Sequence, residues 1–193
     1  MHTRRTPITD RKLRFALVGC GRIARSHIEA LQRHAEHAEM VAVCDTDPAA
    51  LRAAQQATQA PGFATLGALL AGSQPDCVVL ATPSGLHPQQ VIEIAAAGID
   101  VMTEKPMATR WSDGLGMVRA CDEAGVRLFV VKQNRRNRTL QLLKRAIAAG
   151  RFGRIYTVGV NVFWTRPQSY YDSAAWRGTW EFDGGAFMNQ ASH

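Results

Sequence analysis

The chain has 193 residues, 23 Lys+Arg against 16 Asp+Glu for a formal net charge of +7, and a composition 46% hydrophobic and 20% charged. That length accommodates one or two domains with a real core, and that composition excludes wholesale disorder. No apolar run approaches the roughly 20 residues of a bilayer span, and no signal-peptide core opens the chain, so a cytoplasmic protein without membrane contact is expected.

Residues 1–12 are polar and basic and read as a flexible arm. From residue 13 onward strands alternate with helices. Arg14-Phe15-Ala16-Leu17-Val18 is a short apolar strand ending at Gly19, and Ile23, His27, Ile28 and Leu31 then recur at helical spacing. Met40-Val41-Ala42-Val43-Cys44 is a second strand, followed by Asp47-Pro48, a cap and first-turn pair. Asp76-Cys77-Val78-Val79-Leu80-Ala81 is a continuous apolar run, as in a parallel strand covered on both faces. A helix over 87–97, a strand at Val101-Met102-Thr103, a helix over 110–124 and a strand over 126–131 complete the series. Such β-α repetition predicts an α/β fold with a doubly wound parallel sheet over residues 13–133.

Beyond residue 133 the rhythm changes. Leu140, Leu143 and Ile147 stripe a helix ending at Gly150, and residues 155–164 alternate with period two, as in an antiparallel strand with one solvated face. Residues 134–193 therefore read as the start of an α+β domain with an open, mainly antiparallel sheet, expected to be incomplete at residue 193. Charge is uneven as well. Residues 132–171 hold nine Lys/Arg and no acid, leaving 14 basic against 16 acidic residues elsewhere. A local excess of this kind asks for an anionic partner.

Gly19-Cys20-Gly21-Arg22-Ile23-Ala24 is G-x-G-x-x-A between the first strand and the first helix. Gly19 permits the tight turn, Gly21 lets backbone approach a pyrophosphate, and Ala24 lets the helix pack closely. A pyrophosphate would sit on the helix N-terminus, beside Arg22 and Ile23. Asp45 ends the second strand 24 residues after Gly21, where a carboxylate accepts from a ribose 2′-hydroxyl and repels a 2′-phosphate. NAD is expected in preference to NADP. Thr82-Pro83-Ser84-Gly85 follows the third strand at its ligand-binding end, and His87 opens the next helix, either packing there or reaching the cofactor. His27 reads as a near-core histidine. Glu104-Lys105-Pro106 ends the fourth strand at the same edge, where Lys105 either binds a substrate oxygen or is a surface turn lysine. Four cysteines, Cys20, Cys44, Cys77 and Cys121, form no C-x-x-C pair and read as reduced thiols, and no metal site is expected.

The glycine turn, Asp45, Ala81-Thr82-Pro83, Glu104-Lys105-Pro106 and Gly184-Gly185…His193, in that order, resemble the glucose–fructose oxidoreductase/inositol dehydrogenase (Gfo/Idh/MocA) family. The resemblance implies an NAD(P)-binding Rossmann domain, a C-terminal domain whose open sheet mediates oligomers, and hydride transfer at a carbon of a sugar or cyclitol. It places Lys105 on both cofactor and substrate, with Glu104 beside it. The family's late Asp-x-Gly-x-His maps onto Asn189-Gln190-Ala191-Ser192-His193, with Asn189 and Ala191 departing from it. Asn189 orients a hydroxyl but takes no proton, so acid–base work falls to Lys105 or His193. Losing that carboxylate favours an anionic sugar.

Gln133-Asn134-Arg135-Arg136, Phe163-Trp164-Thr165-Arg166 and Ala175-Trp176-Arg177-Gly178-Thr179-Trp180 are similar to the UDP-2-acetamido-2-deoxyglucuronate 3-dehydrogenases of bacterial surface-polysaccharide synthesis. This implies oxidation of the C3 hydroxyl of a UDP-sugar acid, with Arg166, Arg177, Asn189, Lys105 and His193 on the substrate. A homo-oligomer, a tetramer by preference, is expected. The alternatives are a neutral-sugar or cyclitol dehydrogenase and a truncated NAD-binding protein without turnover. A nucleic-acid partner is not expected, because the arginines follow no reader motif.

Overall fold

The computed structural model describes residues 7–191. Strands β1 (Leu13–Val18), β2 (Ala38–Cys44), β3 (Gly62–Phe63), β4 (Cys77–Leu80), β5 (Asp100–Thr103) and β6 (Leu128–Val130) form one sheet in the order β3-β2-β1-β4-β5-β6. Every adjacent pair is parallel. Helices α1 (Ala24–Arg33), α2 (Pro48–Thr58), α3 (Leu66–Gly72), α4 (His87–Ala96) and α5 (Trp111–Ala124) supply the crossovers. Strand β3 and helix α3 are additions to the sequence reading.

Alternation along the strands divides the core in two. Leu17, Val43 and Val79 face Ala24 and Ile28 of α1 and Ala54 of α2. Ala16, Val18, Ala42, Val78 and Leu80 face Leu66 and Leu69 of α3, Val91 and Ile94 of α4, and Met117 and Cys121 of α5. A strand buried on both faces must be apolar at every position, hence the unbroken run at β4. Each such fully buried Leu or Val contributes roughly 1.5–3 kcal/mol by leaving water. Local signals fit as well. Asp47 caps α2 by accepting from the Ala49 N–H at 2.8 Å, and Thr65 caps α3 through the Ala68 N–H at 3.2 Å. The four cysteines are free; burial pushes the Cys20 and Cys77 thiols up to about 12 and that of Cys44 up to about 11.

Arg11, in the predicted arm, makes a two-pronged ion pair with Asp76, with N···O distances of 2.6 and 2.7 Å. At the other end, α6 (Arg138–Ala148), α7 (Gln168–Asp172) and α8 (Gly185–Asn189) follow the sheet, and Asn137 caps α6 through the Thr139 N–H. The antiparallel strand expected over residues 155–164 does not form. That segment has no regular structure and is exposed throughout, with Tyr156 83% and Phe163 89% accessible. A strand exists through its ladder with a neighbour, and all six strands among the described residues belong to the parallel sheet. Period two records which faces a segment would present, not whether a partner is there.

Candidate active site

The strand order reverses direction between β1 and β4, and ligands of open α/β sheets bind at that switch point, beyond the carboxyl ends of the strands. Register brings three sequence motifs to that place. Val18 pairs with Leu80 and Leu80 with Thr103, so the turns after β1, β4 and β5 emerge side by side.

Gly19 has φ +89°, and a Cβ there would stand 2.7 Å from the Ala81 carbonyl carbon and 2.8 Å from the Thr82 nitrogen. Only glycine fits between the two strand ends. Gly21 is different. A Cβ there meets nothing within 4 Å, and Gly21, Arg22 and Ile23 are all exposed. No side chain caps α1 and its first turn holds no acid, whereas α2 and α3 are capped. An uncapped helix N-terminus behind an open glycine is what a pyrophosphate group fits. Asp45 accepts the Cys20 N–H at 2.6 Å and the Asp47 N–H at 2.8 Å, so its carboxylate also fastens the glycine turn. Each oxygen keeps a lone pair for a ribose hydroxyl.

His87 is fully buried at the start of α4, with Nδ1 3.1 Å from the Pro106 carbonyl and Nε2 3.1 Å from the Thr82 carbonyl. Burial lowers its pKa despite these acceptors. Both ring nitrogens lie against backbone carbonyls, and the one that carries the proton donates, so the ring packs the Thr82 turn against the Lys105-Pro106 turn. Of the two roles expected for His87, this geometry supports packing. Thr82 donates its hydroxyl to the Gln90 side-chain oxygen at 2.6 Å, and Pro83 leads into a 3-10 turn over Ser84–Leu86.

Glu104 is buried, with Oε1 2.9 Å from His27 Nε2 and Oε2 accepting the Lys105 N–H at 3.2 Å. Burial pushes this carboxyl up, but the His27 hydrogen bond, the His27 charge and Lys105 outweigh it and hold it below the usual range. Lys105 is half-buried. Its Nζ donates to the Asn189 backbone oxygen at 2.9 Å and to Asn189 Oδ1 at 3.0 Å. Burial lowers its pKa; Lys132 and Arg166 add to that, Glu104 and Asp183 oppose it, and the net direction is down.

Asn189 is the last residue of α8, and its neighbour Gln190 accepts from Arg166 Nε at 3.1 Å. Arg166 lies 5.2 Å and Arg177 4.4 Å from the Tyr170 ring centre, so two guanidinium groups share one ring. Arg177 Nε is buried and has no hydrogen-bond partner among the described residues. Lys105 and Arg166 are thus held by adjacent residues. Among the described residues no cluster of His, Cys, Asp and Glu side chains could hold a metal ion, and no helix is long and apolar enough to cross a membrane.

Residues 13–132 match the oxidoreductase family with NAD-binding Rossmann fold (GFO_IDH_MocA), and residues 140–193 match the GFO/IDH/MocA C-terminal domain. The chain belongs to the Gfo/Idh/MocA family. The D-apiose dehydrogenase of Paraburkholderia graminis is 37% identical over 150 residues, covering 77% of this chain and 40% of the relative. The WlbA dehydrogenase of Chromobacterium violaceum, solved in complex with NADH and UDP-GlcNAcA, is 70% identical with a TM-score of 0.94. That match covers 97% of this chain and 54% of the other. The Bordetella pertussis WlbA dehydrogenase, in complex with the same two ligands, is 69% identical with a TM-score of 0.93, over 96% and 55% of the two chains. The chain spans about half the length of these solved structures.

The Gfo/Idh/MocA fold gathers Gly19, Gly21, Arg22, Ile23, Asp45, Thr82, Pro83, Glu104 and Lys105 at the expected edge and brings Asn189 onto Lys105. His193 lies outside the described residues. Three participants were missed in the sequence: His27 as the partner of Glu104, Tyr170 between the arginines, and Asp183. Asp183 is 2% exposed and accepts from the Asn189 amide and from the Gly178 N–H. The only sequence signal for it is an acid immediately before Gly184-Gly185.

Proposed function

We propose that the chain binds NAD at the glycine turn and acts in oxidising the C3 hydroxyl of a UDP-sugar acid, UDP-2-acetamido-2-deoxyglucuronate, to the 3-keto sugar. The observation that carries this reading is a meeting of groups at one sheet edge. A half-buried lysine is held by Asn189, the adjacent Gln190 holds Arg166, and Arg166 and Arg177 share the Tyr170 ring, Arg177 with a buried N–H that has no acceptor among the described residues. An unsatisfied guanidinium donor is costly, and the oxygens of a carboxylate or pyrophosphate satisfy it well. The likeness to two dehydrogenases crystallised with NADH and UDP-GlcNAcA supports the same assignment.

The oxidation removes a hydride from C3 and a proton from its oxygen. NAD, held by Gly19, Gly21, Arg22, Ile23, Asp45, Thr82 and Pro83, supplies the hydride acceptor when bound. Lys105 takes the proton. Burial lowers its pKa, and the neutral amine keeps both N–H bonds on Asn189, leaving its lone pair for the substrate hydroxyl. His193 is the competing base. Arg166 and Arg177 hold the acidic sugar, and assembly as a homo-oligomer in the cytoplasm belongs to this reading.

The test is NAD reduction by the protein with UDP-2-acetamido-2-deoxyglucuronate against UDP-N-acetylglucosamine, its parent without the carboxylate. A charge-assisted pair with arginine predicts that kcat/KM favours the acid by about tenfold to a hundredfold. Equal rates would remove the acid from the assignment and leave a neutral-sugar dehydrogenase.

A further inference from the structure

We propose that Asp183 is a positioning residue that sets the basicity of Lys105 through the side chain of Asn189. The proposal rests on the reading of Lys105 as the group that takes the substrate's proton. Among the described residues the Asp183 side chain hydrogen-bonds neither the glycine turn nor Lys105. Its carboxylate is nonetheless almost wholly buried, and a buried charge persists only where it is well hydrogen-bonded. One oxygen accepts the Gly178 N–H at 2.8 Å and the other accepts the Asn189 side-chain N–H. Gly184 and Gly185, both at φ +73°, turn the chain so that Asn189, at the end of α8, comes back over Asp183.

The consequence lies in the two ends of the amide. One end donates and the other accepts, and nothing in the shape of Asn189 decides which of them meets Lys105. A carboxylate can only accept, so Asp183 takes the Nδ2 end and commits Oδ1 to Lys105 Nζ, at 3.0 Å. The carboxylate also polarises the amide and adds its own charge, and both effects favour the ammonium form of Lys105. The charged groups facing Lys105 are Glu104 and Asp183 on one side of the balance and Lys132 and Arg166 on the other. Glu104 is already held by His27 and by the Lys105 backbone N–H. Asp183 has no ion-pair partner among the described residues, and its charge reaches Lys105 through the amide. Burial alone would make Lys105 a weak base. Asp183 restores basicity without occupying space beside the substrate.

The chain has four lysines, Lys12, Lys105, Lys132 and Lys144, so trace acetylation across pH with mass spectrometry reads each amine separately. In D183N the labelling midpoint of Lys105 is expected at lower pH, with Lys12 and Lys144 unmoved. Asn189 then turns to give its oxygen to the new amide and points a donor at the lysine. With substrate and NAD, the acid limb of kcat/KM moves to lower pH in step, and plateau kcat falls about tenfold as the base weakens. The double variant D183N/N189D keeps every hydrogen bond and the net charge but places the carboxylate directly on Lys105. Its midpoint is expected above that of the parent protein.

An unmoved Lys105 midpoint in folded D183N overturns the proposal. Should D183N not fold, a midpoint in the double variant at or below the parent value overturns it instead. If labelling moves as stated while the pH–rate profile does not, the coupling of Asp183 to Lys105 stands and the assignment of Lys105 as the base fails. Acetylation needs neither substrate nor turnover, so the two failures are distinguishable.

Discussion

At the residue scale, two glycines of one motif do different work, and the difference is measurable. Gly19 has a left-handed φ, with the backbone of Ala81 and Thr82 within 3 Å of where a side chain would begin. Backbone cannot swing aside as a side-chain tip can. Gly19→Ala therefore carries both conformational strain and a collision, together about 2–4 kcal/mol. For a chain of this size that lowers Tm by roughly 5–15 °C. Gly21→Ala meets open space, so Tm should stay within a degree or two. The added methyl instead stands where pyrophosphate approaches the uncapped start of α1, and NADH affinity should fall at least about tenfold. Thermal unfolding and NADH fluorescence titration of both variants check this. Equal loss of stability in the two would show that Gly21 is also a packing glycine.

At the scale of elements, the contact between α1 and the end of β5 is a titratable one. His27 of α1 holds Glu104, the residue before Lys105, and keeps its carboxyl pKa below the usual value. A carboxylate with a depressed folded-state pKa stabilises the fold above its unfolded pKa, and that contribution disappears as pH falls through the folded value. His27→Ala removes the larger of the two influences that oppose burial and leaves only Lys105, so Glu104 should protonate at higher pH. The variant should therefore have a lower Tm near neutrality and a shallower acid limb, the gap to the parent protein closing as pH falls through the parent's folded value. Curves that differ only by a constant offset would mean the pair carries no pH-linked stability. This contact also marks where sequence reading stops. The strands β1, β2 and β4 are legible because burial on both faces forces unbroken apolar runs, and the glycine turn and Asp45 follow at fixed distances. Strand β3 is two residues long and offers no period to count. The alternation over 155–164 predicts a strand on its pattern alone, and pattern says nothing about a neighbour. His27 and Glu104 are 77 positions apart, and Asp183 meets Lys105 only through an amide on a third element. Such pairings come from the crossovers of the sheet, which spacing along the chain does not encode.

At the scale of the whole molecule, the site depends on how the last described segment sits against the edge of the sheet. Gly85, in the turn after β4, donates its N–H to the Phe182 carbonyl at 3.1 Å, and the Thr109 hydroxyl donates to the Glu181 carbonyl at 3.3 Å. The approach at Gly85 is close enough that a Cβ would lie 2.2 Å from the Glu181 oxygen and 2.9 Å from the Phe182 Cα. Those are backbone atoms on both sides, so Gly85→Ala cannot be absorbed by a rotamer change. The turn at residue 85 is in turn fixed by buried Ser84 and by His87, whose ring nitrogens each lie 3.1 Å from a backbone carbonyl. The segment carrying Asp183 and Asn189 is therefore the part that must move. Gly85→Ala is expected to lift it, separating Asn189 from Lys105, while the six-stranded sheet stays intact. Hydrogen exchange followed by mass spectrometry should show protection over residues 178–190 falling about tenfold or more, with peptides of β1, β4 and β5 unchanged. Loss of protection in β4 instead would place the yielding point in the sheet domain, and the docked segment would then be the more rigid of the two.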